Sequence, residues 1–165
     1  MAVAATYTTE ATNHKAADGT KNPSTATEGA LFVSSTTVSV AAADDDTSAY
    51  FLLPLRSNWS VKRILLYCDA ITGGTSFDLG LYTRATTPVV VDVDAYASAV
   101  DLSTAITKLP IDAAYEARNI TSVNNKVWQD AGLSADSQTW YWLTLYANTV
   151  GSAQGDVTVI VEYTL

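Results

Sequence analysis

From Ala30 onward the chain repeats one pattern. Roughly seven runs rich in Val, Leu, Ile, Thr, Tyr and Trp are each cut short by a cluster of Gly, Asn or Asp. Short runs with period-two alternation between turn signals are what half-buried antiparallel strands look like. Regular repetition of such runs points to an all-β, jelly-roll-like antiparallel β-sandwich.

The clearest run sets Phe77, Leu79 and Leu81 against Asp78, Gly80 and Tyr82, which predicts a strand with its polar face toward water or a partner. Ile64, Leu66 and Cys68 share a face, as do Val157, Val159, Val161 and Tyr163. In Trp140–Tyr146, Tyr141, Leu143 and Leu145 alternate with Trp140, Trp142 and Tyr146, so both faces are apolar. The expected core is therefore Ile64, Leu66, Phe77, Leu79, Leu81, Leu143, Leu145, Val157, Val159 and Val161. Pro54 ends a run and marks a sheet edge, because it cannot donate a ladder hydrogen bond. Gly73-Gly74 predicts a tight hairpin turn, and residues 148–155 a hairpin-like loop. Residues 89–122 carry a weaker signal: Val89–Val91 reads as a short strand and Asp94–Leu102 as a helical turn or loop. Asn125–Ala131 reads as a short helix closed by Gly132.

Residues 1–28 differ from the rest: they are polar, rich in turn residues and without hydrophobic periodicity. They read as an extended N-terminal arm that orders against a neighbouring subunit, or else as a floppy tail, leaving 29–165 as the sandwich domain; the segment cannot bury enough apolar surface alone to offset the entropy of ordering. The first residues lack the basic start and apolar stretch of a secretion signal, and no run matches a membrane span. The expectation is assembly in a cytosol, with no membrane partner.

Chemistry is sparse. One His and one Cys leave little from which to build a triad or metal cluster, so the chain reads as a binding or structural module and not as an enzyme, with no cofactor. Cys68, inside an apolar run, reads as a buried inert thiol. With a net charge of −8 and scattered Lys and Arg, nucleic acid is not expected as a partner. Asp44-Asp45-Asp46 reads as a solvated turn; a structural cation shared with Asp92, Asp94 and Asp101 is the alternative, but no ligand spacing is matched.

What remains is aromatic surface. Four Trp and nine Tyr exceed the needs of one modest core, and aromatic residues on a sheet face serve as interface anchors or sugar-stacking platforms. Trp59, Trp140, Trp142 and Tyr146, with Tyr7, His14 and Lys15 from the arm, are the candidate partner-interface residues.

The runs Asp69–Tyr82, Val91–Ala97, Val127–Asp136, Leu143–Gly155 and Val159–Tyr163 resemble a family of tailed-bacteriophage head decoration, or cement, proteins. The resemblance covers about residues 30–165 and leaves the arm unmatched. It implies a virion protein on the outer surface of an icosahedral head, bound to the major capsid protein and to itself, commonly as a homotrimer. The rival from another class is a carbohydrate-binding or receptor-binding module of a phage fibre.

Overall fold

The computed structural model describes residues 30–165. Eight strands run in chain order: β1 Phe32–Val40, β2 Ala49–Arg56, β3 Ser60–Cys68, β4 Ser76–Thr83, β5 Val90–Val100, β6 Ile106–Asp112, β7 Trp140–Thr149 and β8 Gly155–Thr164. The antiparallel pairs nest: β1 with β8, β2 with β7, β3 with β6, β4 with β5. That is one long two-stranded ribbon. Rolling it up brings β8 against β3 and β7 against β4. Two four-stranded sheets result, ordered β1-β8-β3-β6 and β2-β7-β4-β5, which is the jelly-roll sandwich.

All ten expected core residues are fully buried between these sheets. Ile71, Tyr96 and Leu102 join them from loops and from β5. Pro54 lies in β2, an edge strand, as its missing N–H requires. The short helix forms as α1, Val127–Asp130, followed by Gly132 at φ +71°.

Four expectations are corrected. Gly73-Gly74 and residues 148–155 are not hairpin turns, because β3 and β4, and likewise β7 and β8, lie in different sheets. Their glycines serve close approach instead: a Cβ on Gly151, itself at φ +87°, would lie 2.5 Å from Gly74 N and Thr72 O. The two crossover loops pack on each other, with Ser152 N–H donating to Thr72 O. Asp94–Leu102 is no helical turn, since β5 continues to Val100. Finally, the polar face of β4 is not open to water. Asp78 is buried and accepts hydrogen bonds from Ala99 N–H and the Asn148 amide. Beside it β5 bulges over Gly80, where a Cβ would meet Asp92 O and Val93 O at 2.2 Å.

Candidate functional site

The loops gather at two ends with different chemistry. At one end lie residues 41–48, 69–75, 101–105 and 150–154, tied together by Ile71 N–H to Leu102 O, Ser152 N–H to Thr72 O and Val150 N–H to Asp46 Oδ1. These loops carry Asp44, Asp45, Asp46, Asp69 and Asp101 and no Lys or Arg. The carboxylates are structurally engaged. Asp44 accepts from Ala41 N–H and from Tyr50 Oη at 2.9 and 2.8 Å, and Asp101 accepts from Ser103 N–H. The Ala41 N–H and Tyr50 bonds hold Asp44 below the usual carboxylate range, and the Ser103 hydroxyl together with its N–H does the same for Asp101. Burial, reinforced by Asp44, pushes the Tyr50 phenol up to about 12. Among the described residues no three Asp, Glu, His or Cys side chains come together as a metal site.

The other end is aromatic and cationic. The β2–β3 corner presents Trp59, which stacks on Tyr163 of β8 with centroids 4.3 Å apart; Tyr163 in turn stacks on Phe32 at 5.8 Å. Trp140 meets Trp59 edge-on at 5.3 Å. From Trp140 the belt turns onto the outer face of the β2-β7-β4-β5 sheet. There strand alternation aims Trp140, Trp142, Thr144 and Tyr146 away from the core while Tyr141, Leu143 and Leu145 enter it. Arg84, from the β4–β5 loop, lies 5.7 Å from the Trp140 centroid and 5.5 Å from that of Trp142, and Arg56 lies 6.0 Å from Trp140. Phe51, across from Thr144, tilts against Trp142 at 6.4 Å and meets Tyr82 edge-on at 5.8 Å. Seven aromatic side chains and two guanidinium groups thus form one continuous network, with Tyr82 and Tyr163 buried beneath the more exposed members.

Neither Arg56 nor Arg84 makes a contact ion pair among the described residues, whose ion pairs are Arg63–Asp112 and Arg118–Asp130, although Asp136 shares a cleft with Arg56. Stacking on tryptophan orients a guanidinium while leaving its N–H donors free for an incoming acceptor. Phe51 and Val90 are 42% and 50% exposed beside them. Rigid aromatics, accessible apolar side chains and arginines outside any contact ion pair are the composition of a protein-binding surface.

The corner is held from behind. Val127 N–H donates to Trp59 O and Trp128 N–H to Ser57 O, docking α1 on the β2–β3 corner. The helix is fixed by a buried ion pair: Arg118 bonds Asp130 at 2.7 Å, with their side chains 5% and 1% exposed. Arg118 also donates to Ala114 O and Val61 O, and its guanidinium packs on Tyr96 and Tyr115.

Of the sequence-predicted residues, Trp59, Trp140 and Trp142 come together in the belt. Tyr146 shares their sheet face but sits farther along β7, opposite Asp78 of β4. Tyr7, His14 and Lys15 lie outside the described residues. Arg56, Arg84, Phe51, Tyr82, Phe32 and Tyr163 were not anticipated; only the basic character of Arg56 and Arg84, in a chain with nine Lys and Arg, set them apart beforehand. Cys68 is buried, its thiol pushed up by burial.

No family model and no curated protein matches the chain. Among solved structures, a chain of the cyanophage Pam1 capsid asymmetric unit is similar at a TM-score of 0.48 and 19% identity, over 83% of this chain and 86% of that chain.

Proposed function

We propose that this chain is a structural protein of a bacteriophage virion, a decoration or cement protein that binds the outer surface of the head and bridges major capsid subunits, itself assembled as a trimer. The observation that carries this reading is the aromatic–arginine surface on the outside of the β2-β7-β4-β5 sheet, set at the end of the molecule away from the acidic loops. In a chain of net charge −8, the two arginines of this face let an acidic protein approach it with less repulsion than the acidic loops would offer. The resemblance of residues 30–165 to head decoration proteins supplies the class of partner. The sugar-platform alternative is less well supported, because Trp59 stacks on Tyr163 and Trp140 is flanked by Arg56 and Arg84.

The test is binding of the purified protein to heads that lack it. Trp142→Ala and Arg84→Glu are expected to weaken binding by about 30-fold or more each, the scale of interface hot spots. Wild-type protein that fails to bind heads, or variants that bind equally well, would overturn the assignment. Glycan binding lost in Trp142→Ala would favour the fibre-module alternative.

A further inference from the structure

Each sheet has two edges, and an open edge invites another strand unless it is blocked by proline, charge or a bulge. Three of the four edges here are blocked. β2 carries Pro54 and a register shift, β5 has three register shifts, and β6 carries Lys108 and Pro110. β1 has none of these. All nine of its residues, Phe-Val-Ser-Ser-Thr-Thr-Val-Ser-Val, pair with β8 without a shift. No other backbone partner reaches residues 32–40 among the described residues. From Gly29 to Ala43 the chain holds no charged residue.

We propose that residues 2–9 of a neighbouring copy complete this edge, adding a fifth strand beside β1. The segment Ala2-Val3-Ala4-Ala5-Thr6-Tyr7-Thr8-Thr9 is uncharged, and all the charges of the arm fall after it, at Glu10, Lys15, Asp18, Lys21 and Glu28. Its Thr and Tyr side chains suit cross-strand pairing with Ser35 and Thr37, and main-chain pairing supplies the affinity in this mode of recognition. Residues 10–31 between the segment and β1 reach about 70 Å when extended. A domain of this size is about 37 Å across. A strand folding back on its own edge needs a loop of only about two to five residues, whereas a connector this long has the reach to cross to the next copy. The inference concerns self-association alone, so it is read on purified protein and stands or falls separately from head binding.

The test uses the full chain. In a Cys68→Ser background, tagged copies carrying Thr6→Cys or Thr8→Cys are mixed with untagged copies carrying Ser35→Cys or Thr37→Cys and oxidised. A disulfide between tagged and untagged chains is the expected result for at least one combination. In parallel, hydrogen exchange of the β1 amides not bonded to β8 is compared between the native chain and a Thr6→Pro/Thr8→Pro variant. Exchange is expected to be at least tenfold faster in the variant. Absence of any mixed disulfide, or equal exchange in both proteins, overturns the proposal; the latter also signals that the edge is bare or differently covered.

Discussion

Replacing Arg118 by Met should be the most damaging single change in the support of the aromatic corner. It removes the 2.7 Å bond to Asp130, the bonds to Ala114 O and Val61 O, and the packing on Tyr96 and Tyr115. What remains is a carboxylate 1% exposed, whose Oδ1 is already without a partner. Breaking a buried pair from one side costs about 3–5 kcal/mol, a large share of the roughly 5–15 kcal/mol that holds a domain together. At a urea slope of about 2 kcal/mol per molar, the midpoint should fall by about 2 M with the slope unchanged. The double variant Arg118→Met/Asp130→Leu, with no stranded charge, should recover most of that loss. Burial already raises the Asp130 carboxyl above its ordinary value against the opposing pull of Arg118. Without the arginine, the folded state holds its proton to higher pH than the unfolded chain does. The Arg118→Met cost must therefore grow as pH rises from about 4 toward 7. A midpoint shift under about 0.5 M, or a double variant as unstable as the sum of the singles, would refute this reasoning.

Tyr50, with its folded pKa raised to about 12, contributes stability that is complete below pH 10 and lost as pH climbs toward 12; thermal melts across that range should show the decline in the native chain and a shallower one in Tyr50→Phe. Gly80→Ala drives a methyl into two carbonyl oxygens at 2.2 Å and should cost about 2–4 kcal/mol, checked by denaturant unfolding. Trp142→Ala, on an outward and partly exposed ring, should change stability far less than head binding, measured by melts alongside co-sedimentation.

Where alternation was undisturbed, the fold was legible. Strands β3, β4, β7 and β8, and with them the ten core residues, followed from period-two patterns. Alternation assigns faces and not neighbours, so the glycine-rich loops after β3 and β7 read as hairpins although they cross between sheets. β5 was shortened because Asp92 and Asp94 are poor strand formers and because its register shifts against β4, where it folds over Gly80, leave no mark in the sequence. β6 was hidden because an edge strand containing Thr107, Lys108 and Pro110 looks like loop. Trp59, Trp140 and Trp142 were legible as surplus aromatics on an apolar face. Their union with Arg56 and Arg84 was not, since the guanidiniums arrive from a strand end and a loop with no fixed sequence spacing to the rings. The Arg118–Asp130 pair escaped for the same reason: no motif spacing links the two residues, which meet only when the connection between β6 and β7 folds down on Tyr96.

Cryo-electron microscopy of the assembled virion tests the central claim most directly. The account predicts density for the eight-stranded sandwich on the outside of the head, with Trp140, Trp142, Arg84 and Arg56 against neighbouring protein and the acidic loops toward solvent. Density for this chain only at the tail or portal, or a sandwich on the head whose aromatic–arginine face meets solvent, would contradict it.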